Sequence, residues 1–137
     1  MALVDADGKK DVSANDYYND DIVYVKGTYD FSEDTGATTS TYDLVEIPVG
    51  CVIVDAMLHV ETAGTSGGSA TVIVGQTSDT DSIIESVAVA SLTENSVHNL
   101  AAKRYTATGE NNLLMTIGTA ALTAGKFHLH VWFKKVD

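Results

Sequence analysis

The stretch Pro48-Val-Gly-Cys-Val-Ile-Val-Asp-Ala-Met-Leu-His-Val-Glu-Thr62, continued by Ala63-Gly-Thr-Ser-Gly-Gly68 and Ser69-Ala-Thr-Val-Ile-Val-Gly-Gln76, decides how this chain is read. Two strand-length apolar runs flank a polar link rich in Gly and Ser, which is the pattern of a long β-hairpin. In the first arm the even positions Val52, Val54, Ala56, Leu58 and Val60 are all apolar. With a side-chain period of two they form one buried face. The odd positions are mixed: Cys51, Ile53 and Met57 interleave with Asp55, His59 and Glu61. A strand with water on its second face is polar there throughout. Ile53 and Met57 break that rule, so the outer face is expected to have a partner.

Length and composition frame what the hairpin belongs to. A chain of 137 residues fits one domain, and at this size it buries about 68–70% of its unfolded surface without staples. One Cys excludes an intramolecular disulfide, and Cys51 reads as a small buried hydrophobe. No apolar run approaches the ~18 residues of a membrane span, and residues 1–20 are too polar for a signal peptide. A chain made in a cytoplasm, with no membrane partner, is the expectation. The net charge is −11, and nine of the 19 acidic residues precede Thr35. That balance repels phosphate backbones, so no nucleic-acid partner is expected; a partner with basic patches is.

Outward from the hairpin, the domain spans residues 21–137. Residues 1–20 read as an irregular N-terminal arm whose Leu3, Val4, Val12, Tyr17 and Tyr18 give it something to bury. Asp5-Ala-Asp-Gly-Lys-Lys-Asp11 lacks the ligand spacing and closing Glu of a calcium loop. Residues 22–31 are the first strand, with Val23, Val25, Tyr29 and Phe31 inward, and Gly27 on that face marks a bulge or a close neighbour. Residues 41–47 form the second strand. Residues 82–92 fit a short helix or irregular crossover. Short strands are expected at 97–100 and 104–107, and a firmer one at 112–118 with Leu113, Met115 and Ile117 on one face. The last strand, 126–136, is the cleanest alternation: Phe127, Leu129, Val131 and Phe133 inward, Lys126, His128, His130, Trp132 and Lys134 outward. Asn95 and Gly125 end two-residue turns, where Asn and Gly both tolerate positive φ. Seven or eight strands with one long crossover predict an all-β antiparallel β-sandwich, as a jelly roll.

Chemistry-bearing patterns are few. No Gly-x-Ser-x-Gly elbow supports a nucleophile, and Gly64 to Gly68 opens a strand rather than a phosphate-binding helix. No cofactor, metal or catalytic residue is expected. His128 and His130 share one outward face about 7 Å apart. With His59 they fit a zinc or pH-sensing cluster, a subunit contact, or plain solvent exposure. Trp132, outward on the same face, suits an interface anchor or a sugar-stacking platform.

Several segments together resemble a known group: Phe31-Ser-Glu-Asp-Thr-Gly-Ala37, Ile47-Pro-Val-Gly-Cys-Val-Ile-Val-Asp-Ala56, Thr65-Ser-Gly-Gly-Ser-Ala-Thr-Val-Ile-Val-Gly75, Val89-Ala-Ser-Leu-Thr93 and Gly118-Thr-Ala-Ala-Leu-Thr-Ala-Gly-Lys126. Across most of residues 28–136 the chain resembles the small trimeric β-sandwich head decoration (cement) proteins of tailed bacteriophages. The resemblance implies a structural virion protein, without enzymatic activity, that sits on the capsid surface. It further implies a homotrimer clamping neighbouring subunits of the major capsid protein. Ile53, Met57, Trp132, His128 and His130 would then serve subunit contact, and Leu3, Val4, Val12, Tyr17 and Tyr18 capsid contact. The rival expectation is a carbohydrate- or receptor-binding module, which needs Trp132 aligned with Tyr24 or Tyr42.

Overall fold

Alternating apolar residues build strands, and in the computed structural model, which describes residues 21–136, nine of them account for most of the chain. They are β1 (Val23–Asp30), β2 (Thr41–Glu46), β3 (Cys51–Ser66), β4 (Thr71–Gln76), β5 (Asp79–Ala88), β6 (Val97–Asn99), β7 (Arg104–Tyr105), β8 (Asn112–Gly118) and β9 (Leu122–Lys135). One turn of helix, α1 (Phe31–Asp34), follows β1, with Asp30 accepting from the Ser32 amide as its N-cap. The strands form two antiparallel sheets. The first runs β1-β9-β3-β6, with β7 continuing the β6 edge on β3; the second runs β2-β8-β4-β5.

The pairings nest. β4 pairs with β5, β3 with β6 and β7, β2 with β8, and β1 with β9. The chain is thus one long double ribbon with its tip at Thr77-Ser78. Folding the ribbon over adds the β3–β9 and β4–β8 pairings that complete the sheets. This is the jelly-roll winding. The core between the sheets holds Tyr29, Ile47, Leu58, Ile83, Ile117 and Phe127, all fully buried.

Three expectations are corrected. β3 and β4 do not form a hairpin: β3 lies in the first sheet and β4 in the second. Two apolar strands joined by a short flexible link alternate alike whether their edges pair or their faces pack. The sequence pattern therefore does not separate the two arrangements. Residues 63–66 belong to β3 and pair with β9 as far as Leu122. Residues 79–88 are strand rather than helix or crossover. β5 pairs with β4 through register shifts that place Ile83 and Ile84 consecutively in the core, which mimics helical spacing.

The third correction concerns Ile53. Pairing with β9 slips between Ile53 and Asp55, a β-bulge held by the Asp55 carboxylate accepting from the Ala56 amide at 2.9 Å. The extra residue reverses the parity of the strand. Cys51 and Ile53 point inward before the bulge, and Ala56, Leu58 and Val60 point inward after it. Ile53 is 0% exposed and has no outer-face role; Val52 and Val54 are half-buried on the other side.

Other readings hold. Gly27 marks a close neighbour, because a Cβ there would collide with the Leu44 carbonyl of β2. Asn95 and Gly125 both take positive φ. Leu113, Met115, Ile117, Phe127, Leu129, Val131 and Phe133 are all buried as expected. Thr106, fully buried, ties the turn before β3: its hydroxyl donates to the Pro48 carbonyl at 2.7 Å and accepts from the Cys51 amide at 2.9 Å. Buried Tyr29 donates to the Thr35 carbonyl. Its hydroxyl is held neutral by burial first, then by Tyr42, Asp34 and Asp30.

Two stability outcomes follow from this packing. Ile53→Ala lowers the unfolding free energy by about 2–5 kcal/mol in denaturant titrations, as a core truncation does; an outer-face residue would cost under about 0.5 kcal/mol. Thr106→Val, which strands the Cys51 amide, costs about 1–3 kcal/mol by the same measurement, and Thr106→Ser recovers most of it.

Candidate functional site

The outer face of the first sheet gathers the unusual side chains of the domain. Register places them in rows across β1, β9, β3 and the β6–β7 edge. Lys134, Val52 and Tyr105 lie abreast. The next row is Tyr24, Trp132 and Asp55, and then Lys26, His130, Met57 and Asn99. Thr28, His128, His59 and Val97 follow, with Asp30 and Lys126 beyond them. One end of the face is apolar and aromatic, the middle is imidazole, and the far end is charged.

The rings form one continuous cluster. Tyr24 lies 5.2 Å from Trp132 and 5.8 Å from His130, centroid to centroid. His59, His128 and His130 stand 6.1–6.4 Å apart. Hydrogen bonds fix several of them. The Tyr24 hydroxyl and His130 Nδ1 are 2.6 Å apart; with the imidazole neutral, the hydroxyl donates and Nδ1 accepts. His128 uses both nitrogens, Nε2 donating to Glu61 at 3.1 Å and Nδ1 sharing a hydrogen bond with the Thr28 hydroxyl at 2.8 Å. Lys126 Nζ reaches the other Glu61 oxygen at 3.2 Å.

The electrostatics follow from these contacts. His128 first, then Lys126, holds the exposed Glu61 carboxyl below the usual carboxylate range, and Glu61 in return raises Lys126. His130 is pushed below the ordinary histidine value by burial, and further by His128, Lys26 and His59. Among the described residues no group of His, Cys, Asp and Glu is arranged to hold a metal ion, and the nitrogens of His128 are already engaged. What the face offers is contact: flat aromatic area, a thioether and a few charges.

The fold is shared with phage capsid chains. A chain of the cyanophage Pam1 capsid asymmetric unit superposes with a TM-score of 0.72 at 15% identity, covering 99% of this chain and 100% of that one. A chain of the acidic stable capsid of Helicobacter pylori bacteriophage KHP30 gives 0.61 at 21% identity, over 82% of this chain and 86% of that one. A chain of the Ralstonia phage GP4 capsid gives 0.56 at 16% identity, over 85% and 86%. No family model matches the chain, and no curated protein matches it.

Of the residues singled out from sequence, Met57, Trp132, His128 and His130 lie on this one face, and Ile53 does not. Leu3, Val4, Val12, Tyr17 and Tyr18 lie outside the described residues. Tyr42 is on β2, edge-on to Tyr29 at 5.0 Å, and so is not aligned with Trp132, whereas Tyr24 is. Sequence reasoning missed Val52, Val54, Lys26 and Tyr105 as members of the face. Lys26 was visible as an outward residue, but nothing in the sequence set β1 beside β9. The two valines were hidden by the bulge.

The depressed His130 gives this face a pH signature. Its folded value lies below its unfolded one, so as pH falls through 6.5 the unfolded chain binds the proton first. The stability it contributes is whole above that pH and is lost as pH falls towards the folded value. Denaturant midpoints measured from about pH 7.5 down to about 5.5 should fall in the native chain and fall less in His130→Gln. Parallel profiles would rule out the assignment.

Proposed function

We propose that this chain is a structural protein of a tailed-phage virion: a capsid decoration (cement) protein that binds the outer surface of the head and clamps neighbouring major capsid subunits. The observation that carries the reading is the match over the whole chain to a chain of a phage capsid, at a TM-score of 0.72 and with that chain covered completely. The face built by Trp132, His130, Met57 and their neighbours suits it, because a clamp works through contact surface rather than a reaction centre.

In this reading the outer face of the first sheet makes the contact between copies in a homotrimer. Met57, His128 and His130 are central and Trp132 lies at the border. The long β3 and β9, the eight residues of β1 and the short β6–β7 edge, about 4.8 Å apart, together offer roughly 600 Å². A stable interface takes about 800 Å² from each partner, so the sheet face supplies most but not all of what is needed. Leu3, Val4, Val12, Tyr17 and Tyr18 reach the capsid surface. Three linked copies then multiply modest single contacts by avidity.

Co-sedimentation with assembled shells of the phage's own major capsid protein tests the proposal. The purified chain should pellet with the shells and raise the temperature at which they come apart. A chain left wholly in the supernatant would contradict it. The adjacency of Tyr24 and Trp132 favours one second reading, a glycan-binding module, with the two rings as the platform. In that case glycan-array binding appears in a chain that ignores capsid shells and disappears in Trp132→Ala.

A further inference from the structure

The two sheets divide the charge of the domain between them. The strands of the second sheet, β2, β4, β5 and β8, carry five carboxylates, Asp43, Glu46, Asp79, Asp81 and Glu85, and no Lys, Arg or His. Every Lys and Arg of the described residues except Lys103 lies in the strands of the first sheet. Asp79 is already paired, with Arg104 of β7 at 3.1 Å. Asp43 and Glu46 on β2 and Glu85 on the opposite edge strand β5 are exposed.

Register gives this surface a centre and a rim. Val72, Val74, Met115 and Ile117 point into the core, so the residues between them point outward. Thr41, Thr116 and Ile73 make one outward row, and Asp43, Leu114 and Gly75 the next. Ile73 and Leu114 are half-buried on a side where a strand facing water is polar. A Cβ on Gly75 would collide with the backbone of Asp79 and Thr80, so the start of β5 lies against this side. At the slip in pairing between Asp43 and Val45 there is a cleft of about 160 Å³ lined by Asp43, Glu46 and Asn112. An uncharged, partly apolar centre inside a charged rim is the anatomy of a protein interface. A rim of one sign selects a partner of the other.

We propose that the outer face of the second sheet docks a basic protein surface. Ile73 and Leu114 meet apolar side chains of that partner, and Asp43, Glu46 and Glu85 pair with its Lys or Arg residues, one of them seated in the cleft beside Asp43. The identity of the partner rests on the decoration reading. With the first-sheet face between copies, the second-sheet face lies on the opposite side of the sandwich, free for the neighbouring major capsid subunits. A second copy suits it less well, because the rows holding Lys26 and Lys134 then belong to the contact between copies.

Co-sedimentation with assembled shells of the phage's own major capsid protein is measured for three full chains. They are the native chain, Asp43→Asn with Glu46→Gln and Glu85→Gln, and Asp43→Lys with Glu46→Lys and Glu85→Lys. Removing three exposed ion pairs should weaken binding about tenfold in the neutral variant, and charge reversal should weaken it further. The neutral variant keeps side-chain size and carries the test should the reversed one fail to fold. Native binding should also fall as NaCl rises to about 1 M, where the Debye length is about 3 Å. Variants that bind as well as the native chain overturn the inference and leave the decoration reading standing. A native chain that ignores the shells overturns both. A solution mass that drops in the neutral variant, by light scattering, assigns the face to a second copy and overturns the inference.

Discussion

The pairing of β3 with β9 is the interaction on which the rest of the structure depends. These are the two longest strands, 16 and 14 residues, and they pair from Cys51 opposite Lys135 to Ser66 opposite Leu122. β1 attaches to one side of the pair and β6 and β7 to the other. Nothing in the first sheet is placed without it. β3 and β9 are also far apart in sequence, so their contact closes a large loop and gains little from local order. What compensates is length: a long ladder whose inner face carries Leu58, Val60, Leu129 and Val131, all at zero exposure.

The bulge at Val54 and Asp55 turns this core element into a surface with two characters. By reversing parity it buries Ile53 and puts Val52 and Val54 beside Met57, Tyr24 and Trp132. A sheet face meant for water would not carry that set. The imidazoles in the middle rows add a second property. Burial first, then His128, Lys26 and His59, disfavour a proton on His130. Glu61 partly counters this at the charged end, where His128 and Lys126 share it.

Much of this was legible in the sequence. The inward rows of β8 and β9 read directly, because a strict period of two over seven or more residues has one solution. The outward placement of His128, His130 and Trp132 came with it. The apolar interruption of the outer face of β3 was legible too, although Ile53 was assigned to it wrongly: one inserted residue moves every side chain to the opposite face. Ile83 and Ile84, consecutive in the core because β5 shifts register, imitated a helix for the same reason. The mistaken hairpin has a different origin. Alternation reports which face a strand buries, not which neighbour it pairs with, and only the ribbon-wide nesting around Thr77-Ser78 separates β3 from β4. Tyr24 could join Trp132 only once β1 was known to lie against β9.

The central claim is that the outer face of the first sheet, as the bulge defines it, joins copies of this chain. Light scattering on a sizing column measures this most directly, on the native chain and on Val52→Asp with Met57→Asp. The account predicts a native mass near three times 14.5 kDa and a folded monomer for the variant. A native monomer, or an assembly that survives both aspartates, would contradict it.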